Sequence, residues 1–435
     1  MGLIEKDLAI IAVEDLLDLN LAIPLYQRPY SWKNASTNIL FMDTYEAYQQ
    51  GVEEYRLGAV ILHKDRQFYN IVDGQQRLTT LAILLYCLGE EGCGLLNEQY
   101  STLSTHAIKN TYEVLSRKVA QLKEVERTAY KNYVLEKCTF VKIVTDQEQE
   151  AFQFFDSQNA RGKELAPHDL LKSYHLREMH TEDELMKTKL ISSWENKDQD
   201  ALEALFKSYL FPVTQWYKCK SGLDYSSEKI GAFKGIKSTN TYNYAIYQKA
   251  ANLFVEQMNT NGGVELLGTK TLNQFQLTQP LIAGKRFFHY TLHYADLLEK
   301  IQKKIDFFHK DKEEVPEKRS GDIYILQLYQ AVLLFFVDRF GMAALTDSVM
   351  QQLYTWAYSL RLVMHAVYPQ TINKYASGQH ERINKEVDLF ARISEMTDPE
   401  ELNLILFEQL EETQLTNGKE KYPKIVAFLR KANRW

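Results

Sequence analysis

The stretch Ile71-Val72-Asp73-Gly74-Gln75-Gln76-Arg77-Leu78 decides how the N-terminal part of the chain folds. The apolar run 68–72 ends at Asp73-Gly74, and the apolar run 78–85 follows two glutamines and an arginine. This order predicts a strand, a tight turn and a helix. The first turn of a helix presents backbone N–H groups without partners and the positive end of the helix dipole. Such a turn is suited to a phosphate group.

The same turn also has a purely structural interpretation. Asp73 could accept local backbone hydrogen bonds while Arg77 forms a salt bridge, and a glycine turn before a helix is common. The stretch has neither the GxxxxGK[ST] pattern of a P-loop nor a GxGxxG pattern. Local chemistry alone leaves both interpretations open.

Hydrophobic periodicity places the turn in a mixed domain. A strand over 56–63 and its return over 68–72 form a hairpin that leads into the turn. Residues 8–18 predict a short strand followed by a helical turn, and 139–144 predict another strand. The predicted helices of this part cover 34–48, with Asn34 or Ser36 as N-cap, 75–88 and 105–137. From about residue 180 the pattern is helical throughout. Its clearest helices are predicted at 192–209, 243–257, 287–308, 323–340 and 345–365.

Composition excludes several classes of protein. The 435 residues are 45% apolar and 25% charged, which is typical of a globular chain of two to three domains. The net charge of −6 means that any contact with nucleic acid needs a local basic patch or a partner. No signal peptide and no membrane span are expected, because no apolar window is long enough. Four scattered cysteines predict free thiols in a reducing cytosol.

A second stretch of interest is Tyr26-Gln27-Arg28-Pro29-Tyr30-Ser31-Trp32. Its prolines keep it extended, and Tyr26, Arg28, Tyr30 and Trp32 share one face if it is a strand. That face could stack on a nucleobase or hold a phosphate. Alternatively, the aromatic residues pack on the core and Arg28 pairs with an acidic residue.

A third stretch is Phe155-Asp156-Ser157-Gln158-Asn159-Ala160-Arg161-Gly162-Lys163. Asn159 and Arg161 are suitable ligands for a phosphate or a base, and Gly162 lets a backbone approach a ligand closely. A helix C-cap with Asn159 or Gly162 in left-handed geometry is the favoured structural interpretation.

Two weaker patterns lie further along the chain. His289, His293 and Asp296 have helical spacing compatible with a metal, but a surface or core pair is the favoured interpretation. Residues 216–247 interleave five lysines with seven aromatic residues, which could bind nucleic acid. A solvated face with buried aromatic side chains is again favoured.

Together the three stretches closely resemble the DGQQR-box family, the ParB/sulfiredoxin-like nucleotidase domain of GmrSD type IV restriction systems and related phage-defence proteins. The resemblance spans residues 26–172 in order and approximate spacing, and the helical remainder is similar to the family's usual extension, including 358–361 and 371–375. It implies an α+β fold. In this fold an N-terminal ParB-like domain with a small mixed sheet (1–180) precedes a large all-helical region (181–435).

The resemblance also gives each residue of the central box a role. It implies that the box binds, and helps to hydrolyse, a nucleoside triphosphate of unknown base together with Mg²⁺. By motif position, Asp73 would bind the metal or the attacking water and Gly74 would permit the turn. Gln75, Gln76 and Arg77 would hold phosphates. Asp73, Gln76 and Arg77 are thereby the predicted catalytic residues, because phosphoryl transfer needs positioned charge and a metal.

The other two boxes would contribute Arg28, Asn159 and Arg161 to the same nucleotide. Many relatives also carry a C-terminal HNH nuclease, which we predict to be absent. Residues 362–369 are only superficially similar to its motif, and 370–435 offer no matching framework. The resemblance therefore implies a cytoplasmic nucleotide-sensing subunit whose partner nuclease, or second defence subunit, cuts DNA. It leaves contact with DNA and homo-oligomerisation open.

Two other functions remain compatible with the sequence. One is a non-catalytic DNA-binding scaffold that uses the ParB-like fold without turnover, which predicts salt-dependent DNA binding and no phosphate release. The other is a self-sufficient nuclease that uses the ParB-like domain, which predicts nicking of DNA by the pure chain.

Overall fold

The computed structural model describes residues 8–24, 27, 29–98, 100, 102–147, 150–151, 166–179, 182–260, 272–309, 319–410, 415 and 422–431. The chain forms two compact units. The first comprises Met1–Leu165 and Asp183–Asn196, and the second comprises Ala166–Glu182 and Lys197–Trp435. The predicted division into domains 1–180 and 181–435 stays a prediction.

A five-stranded mixed sheet forms the centre of the first unit, with the strand order β1-β5-β3-β4-β2. The strands are β1 Leu8–Ala12, β2 Leu21–Ala22, β3 Tyr55–Asp65, β4 Phe68–Asp73 and β5 Cys138–Thr145. The pairs β1–β5 and β3–β4 are antiparallel, whereas β3–β5 and β2–β4 are parallel. The β3–β4 hairpin leads directly into the stretch 71–78, as its sequence predicts.

Both faces of this sheet carry buried apolar residues, and helices pack on the face with the larger core. Val60, Leu62 and Ile71 belong to a large buried core together with residues of the neighbouring helices. Ile61 and Val72 form a smaller cluster on the opposite face. The first five helices are α1 Val13–Leu17, α2 Asn34–Gln49, α3 Gln75–Cys87, α4 Thr102–Ala120 and α5 Glu124–Glu136.

Two details of these helices correct the sequence-based predictions. The predicted helix 105–137 is two helices, because Arg127 donates hydrogen bonds to the carbonyls of Ala120 (3.1 Å) and Leu122 (3.0 Å) and so holds the end of α4. The N-cap of α2 is Lys33 rather than Asn34 or Ser36, and it makes no side-chain capping bond.

The remaining helices follow in chain order, and α7 belongs to the first unit. They are α6 Pro167–Arg177, α7 Glu184–Glu195, α8 Gln199–Ala204, α9 Phe211–Trp216, α10 Asn243–Thr260, α11 Lys285–His309, α12 Ser320–Phe340, α13 Asp347–Val363, α14 Pro369–Ala376, α15 Leu389–Glu395 and α16 Pro423–Lys431. Between α8 and α9 the chain is π-helical over Leu205–Leu210. The predicted single helix 192–209 is therefore wrong, since α7 ends within it at Glu195, α8 begins at Gln199 and the last part is π-helical.

Helix α12 is the central helix of the second unit. It is the one helix within the described ranges that is long and apolar enough to cross a membrane, and 67% of its apolar window is buried inside the structure. That burial is typical of a core helix. Asp322 of α12 accepts a hydrogen bond of 2.6 Å from Arg361 of α13, and both side chains are buried. A mixed sheet followed by a helical region confirms the predicted α+β class.

Candidate functional site

The turn between β4 and α3 has the geometry that its glycine predicts. Gly74 has φ +102°, and α3 begins at the next residue. A Cβ at Gly74 would lie 3.2 Å from Val60 Cγ2, so a side chain here would combine backbone strain with a tight contact. As N-cap, Gly74 makes no side-chain capping bond. Within the described ranges, the first turn of α3 therefore receives no side-chain capping bond from its N-cap.

Arg77 ties this turn to the neighbouring strand. Its Nη1 donates to the carbonyl of Leu57 (2.8 Å) and its Nη2 to the carbonyl of Ala59 (2.9 Å). The guanidinium fits between these carbonyls because Gly58, at φ +114°, has no Cβ; an added one would lie 2.1 Å from Nη1. The Asp73 carboxylate lies 3.8 Å from Nη2 of Arg77. This is the salt bridge that the purely structural interpretation of the turn predicted for Arg77. Arg77 thus braces β3 where its register with β5 shifts.

Gln76 connects α3 to the second stretch, residues 26–32. Its Oε1 accepts from the backbone N–H of Ser31 (2.9 Å), and its Nε2 donates to the carbonyl of Pro29 (3.2 Å). Gln27 makes the reverse connection, since its Nε2 donates to the carbonyls of Ile71 (2.8 Å) and Val72 (2.6 Å). Two glutamine side chains therefore hold the stretch 26–32 against the stretch 71–78.

Tyr30 is a core residue rather than part of an exposed binding face. It is 1% exposed, and its hydroxyl lies 2.7 Å from Thr80 Oγ1 and 3.0 Å from Thr111 Oγ1. Burial raises its pKa. Trp32 is partly buried against the same core. Residues 29–33 are not a strand, so the interpretation of this stretch as an aromatic segment packed on the core applies to both residues.

Asp73 and Gln75 are the residues of the stretch 71–78 whose side chains still have oxygen atoms available to a ligand. The Asp73 side chain is 35% exposed. Gln75 is 4% exposed, and its Oε1 has no hydrogen-bond partner among the described residues. Such a buried acceptor is costly without a partner. The described ranges hold no group of three or more His, Cys, Asp or Glu residues that could bind a metal. A single carboxylate still suits Mg²⁺, which usually takes one or two carboxylates plus phosphate oxygens.

The structure thus brings Asp73, Gly74, Gln75, Gln76 and Arg77 together at one helix N-terminus. The other three predicted ligands, Arg28, Asn159 and Arg161, lie outside the described residues. Whether any of the eight binds a nucleotide stays a prediction.

Sequence reasoning gave no role to Gln27 or Gly58, although both shape this site. A signal existed for Gly58, because a glycine inside an apolar strand often marks a bulge or a close approach of another group. Nothing in a single sequence predicts that the Gln27 amide pairs with carbonyls 44 and 45 residues away.

The histidine pattern of α11 behaves as its structural interpretation predicts. Asp296 pairs with Lys197 at 2.7 Å. The His293 ring packs against the rings of Phe275 and Tyr294, at centroid distances of 5.6 and 4.9 Å. These contacts place the His293 ring among aromatic side chains and pair Asp296 with a cation.

Comparison with known families matches both parts of the chain. Residues 13–176 match the family model described as "GmrSD restriction endonuclease, N-terminal domain". Residues 186–422 match the model described as "Family of unknown function (DUF7834)", which does not indicate an HNH nuclease. A search of curated proteins finds no match. Because the second match covers more than half of the chain, this protein belongs to the DUF7834 family, and it carries a GmrSD-type N-terminal domain.

Proposed function

We propose that this chain is a nucleoside triphosphate-binding and -hydrolysing subunit of a restriction or anti-phage defence system. Nucleotide binding would regulate DNA cleavage by a partner nuclease. The match of residues 13–176 to a restriction endonuclease N-terminal domain supports the role in restriction. The nucleotide part of the proposal rests on the N-terminus of α3, which has no side-chain cap, next to the accessible Asp73.

The residues of the turn fit a triphosphate in complementary ways. The backbone N–H groups at the start of α3 would receive phosphate oxygens, as helix N-termini do in many phosphate sites. The Oε1 of Gln75 in the same turn, which has no partner among the described residues, is an acceptor, so it would receive a donor such as a metal-bound water rather than a phosphate oxygen. Asp73 would hold Mg²⁺, and the metal, when bound, neutralises negative charge that develops on the phosphates.

Gln76 and Arg77 would act mainly by positioning. Two bonds from each side chain already fix neighbouring backbone segments. Arg77 also has N–H groups beyond the two that bind Leu57 and Ala59, since a guanidinium carries five. We therefore expect Arg77 to contribute its positive charge to the phosphates while it continues to brace β3.

The remaining parts of the proposal follow from the family. Arg28, Asn159 and Arg161 would surround the same nucleotide. The partner would be a nuclease or a second defence subunit in the cytoplasm, and the chain would contact DNA or a second copy of itself only as part of that assembly.

The direct test is phosphate release by the purified full chain with Mg²⁺ and each of the four nucleoside triphosphates. Asp73→Asn should abolish release because it removes the carboxylate charge. Asp65→Asn is the matched control, since Asp65 is an exposed carboxylate on the same hairpin. Equal release by both variants would contradict the proposed role of Asp73.

The same preparation separates the proposal from its rivals. Salt-dependent DNA binding without nucleotide binding or phosphate release would support the non-catalytic scaffold. Nicking of plasmid DNA by the pure chain, lost in Asp73→Asn, would support the self-sufficient nuclease. The proposal expects neither result without a partner protein.

A further inference from the structure

The second unit contains a cavity of about 330 Å³ that the proposed function does not use. Its walls are the π-helical segment with the start of α9, the loop 222–225, and parts of α12 and α14. The volume lies within the range of small-molecule sites. Apolar and aromatic side chains supply most of the lining, among them Trp216, Tyr324 and Leu328.

Several polar side chains line this cavity and have no hydrogen-bond or ion-pair partner among the described residues. They are Lys207, Ser208, Asp224 and Gln327. Tyr225 lines the cavity with its ring, because its hydroxyl is fully buried and is not accessible from the cavity. Polar side chains that face a cavity without a partner are the groups that a ligand can bind.

The backbone of one wall is irregular where it meets the cavity. Leu205–Leu210 is π-helical, and Phe211 N–H donates to the carbonyl of Phe206. Pro212 has no N–H, so it cannot continue the helical ladder back to the carbonyls of the preceding turn. Lys207 and Ser208 lie in that turn. Short π-helical segments are often found at functional sites.

The opposite wall is fixed against this helix. A Cβ on Gly222 would lie 2.6 Å from Pro212 Cα, so only glycine allows the loop to approach this closely. The Asn373 Oδ1 accepts from Gly222 N–H (2.8 Å) and from Trp216 Nε1 (3.0 Å). Asp224 has φ +58°, a conformation uncommon for a residue with a side chain. The cavity is therefore largely preformed.

We propose that this cavity binds a nucleotide, either free or as an unpaired residue of a single strand. The aromatic lining suits the flat face of a base. The amide of Gln327 can both donate to and accept from a base edge. Lys207 supplies a positive charge for a phosphate, and Asp224 supplies an acceptor for a sugar hydroxyl.

Positive charges near the cavity would attract an anionic ligand. Lys218, Lys220 and Lys229 are exposed on the segment that leads into and out of the loop 222–225. They belong to the lysine–aromatic pattern of residues 216–247, whose aromatic members Trp216 and Tyr225 are buried. The pattern thus combines a basic surface with aromatic cavity walls.

The test is equilibrium dialysis of the full chain with nucleoside 5′-monophosphates and, separately, with a short single-stranded DNA of mixed sequence. Lys207→Gln and Gln327→Leu should each weaken binding about tenfold, the loss expected for one hydrogen bond or charge contact. Neither variant should lower the thermal midpoint of the free protein, because neither side chain has a hydrogen-bond or ion-pair partner among the described residues.

Tyr209→Phe is the control. Tyr209 lies in the same π-helical segment as Lys207, but it is buried, its hydroxyl donates to Gln330 Oε1 at 2.6 Å and it does not line the cavity. This variant should lose stability and keep its affinity. Tighter binding of the monophosphate or of the strand tells which source the site uses, and either supports the proposal.

Three outcomes would overturn the proposal. The first is no saturable binding of any probe, and the second is equal affinity in the wild type and both cavity variants. The third is binding that Asp73→Asn abolishes and the cavity variants leave unchanged, which would place it at α3. The α3 proposal does not depend on this cavity, so either can fail alone.

Discussion

Gly58→Ala tests whether Arg77 braces β3 as the structure indicates. The new methyl carbon would lie 2.1 Å from Arg77 Nη1, so the guanidinium would have to leave the carbonyls of Leu57 and Ala59. A positive φ in a residue with a side chain costs roughly 1–3 kcal/mol. Loss of the two charged hydrogen bonds, partly replaced by water at this side chain, which is 27% exposed, adds about 2 kcal/mol. We expect a total loss of about 3–5 kcal/mol.

Gly89→Ala is the matched control for backbone strain. Gly89 has φ +87°, and a Cβ there would meet no atom within 4 Å. It should therefore cost only the strain, about 1–3 kcal/mol. The difference between the two variants reports the displacement of Arg77.

The assay is native-state hydrogen exchange of the strand and helix amides of the first unit along a urea series. A double-mutant cycle with Arg77→Met isolates the contact, since Gly58→Ala should cost about 2 kcal/mol less when the guanidinium is absent. Equal costs for Gly58→Ala and Gly89→Ala, with no coupling to Arg77, would refute the bracing role.

Three further predictions concern other buried polar groups. Gln76→Leu should release the segment around Ser31 and increase its proteolysis, measured by mapping the first cleavage sites, with Asp73→Asn as a variant that leaves this contact intact. Burial raises the pKa of Asp338 to about 7. The stability that protonated Asp338 contributes is therefore fully present below the pKa of an unfolded aspartate and is lost as the pH rises towards 7. The free energy of unfolding should fall by about 2 kcal/mol between pH 5 and 8. In urea denaturation, Asp338→Asn should lose this dependence on pH. Arg361→Ala should destabilise the second unit by about 3–5 kcal/mol in the same assay, because it leaves Asp322 charged and buried.

The regular elements around the turn follow from the sequence because their signals are local. Alternating apolar residues predict β3 and β4, and a glycine before an apolar helical run predicts the start of α3 at Gln75. The long helices of the second unit are likewise predicted to within a few residues, as for 323–340 and the observed Ser320–Phe340.

The contacts that build the site could not be predicted in this way. Gln76 binds Pro29 and Ser31, which are 47 and 45 residues away, and a single sequence does not show which backbone groups lack partners. The sequence suggests Gln76 and Arg77 as ligands, whereas the structure uses both side chains first as braces. The π-helical segment depends on Pro212 and on tertiary packing, so helical periodicity predicted an ordinary helix there.

The most direct test of the central claim is a structure of the full chain with a non-hydrolysable nucleoside triphosphate and Mg²⁺. The proposal predicts phosphate oxygens about 3 Å from the N–H groups of Gln75 and Gln76, with Mg²⁺ on the Asp73 carboxylate. Triphosphate bound at any other place in the chain, with the first turn of α3 free, would contradict it.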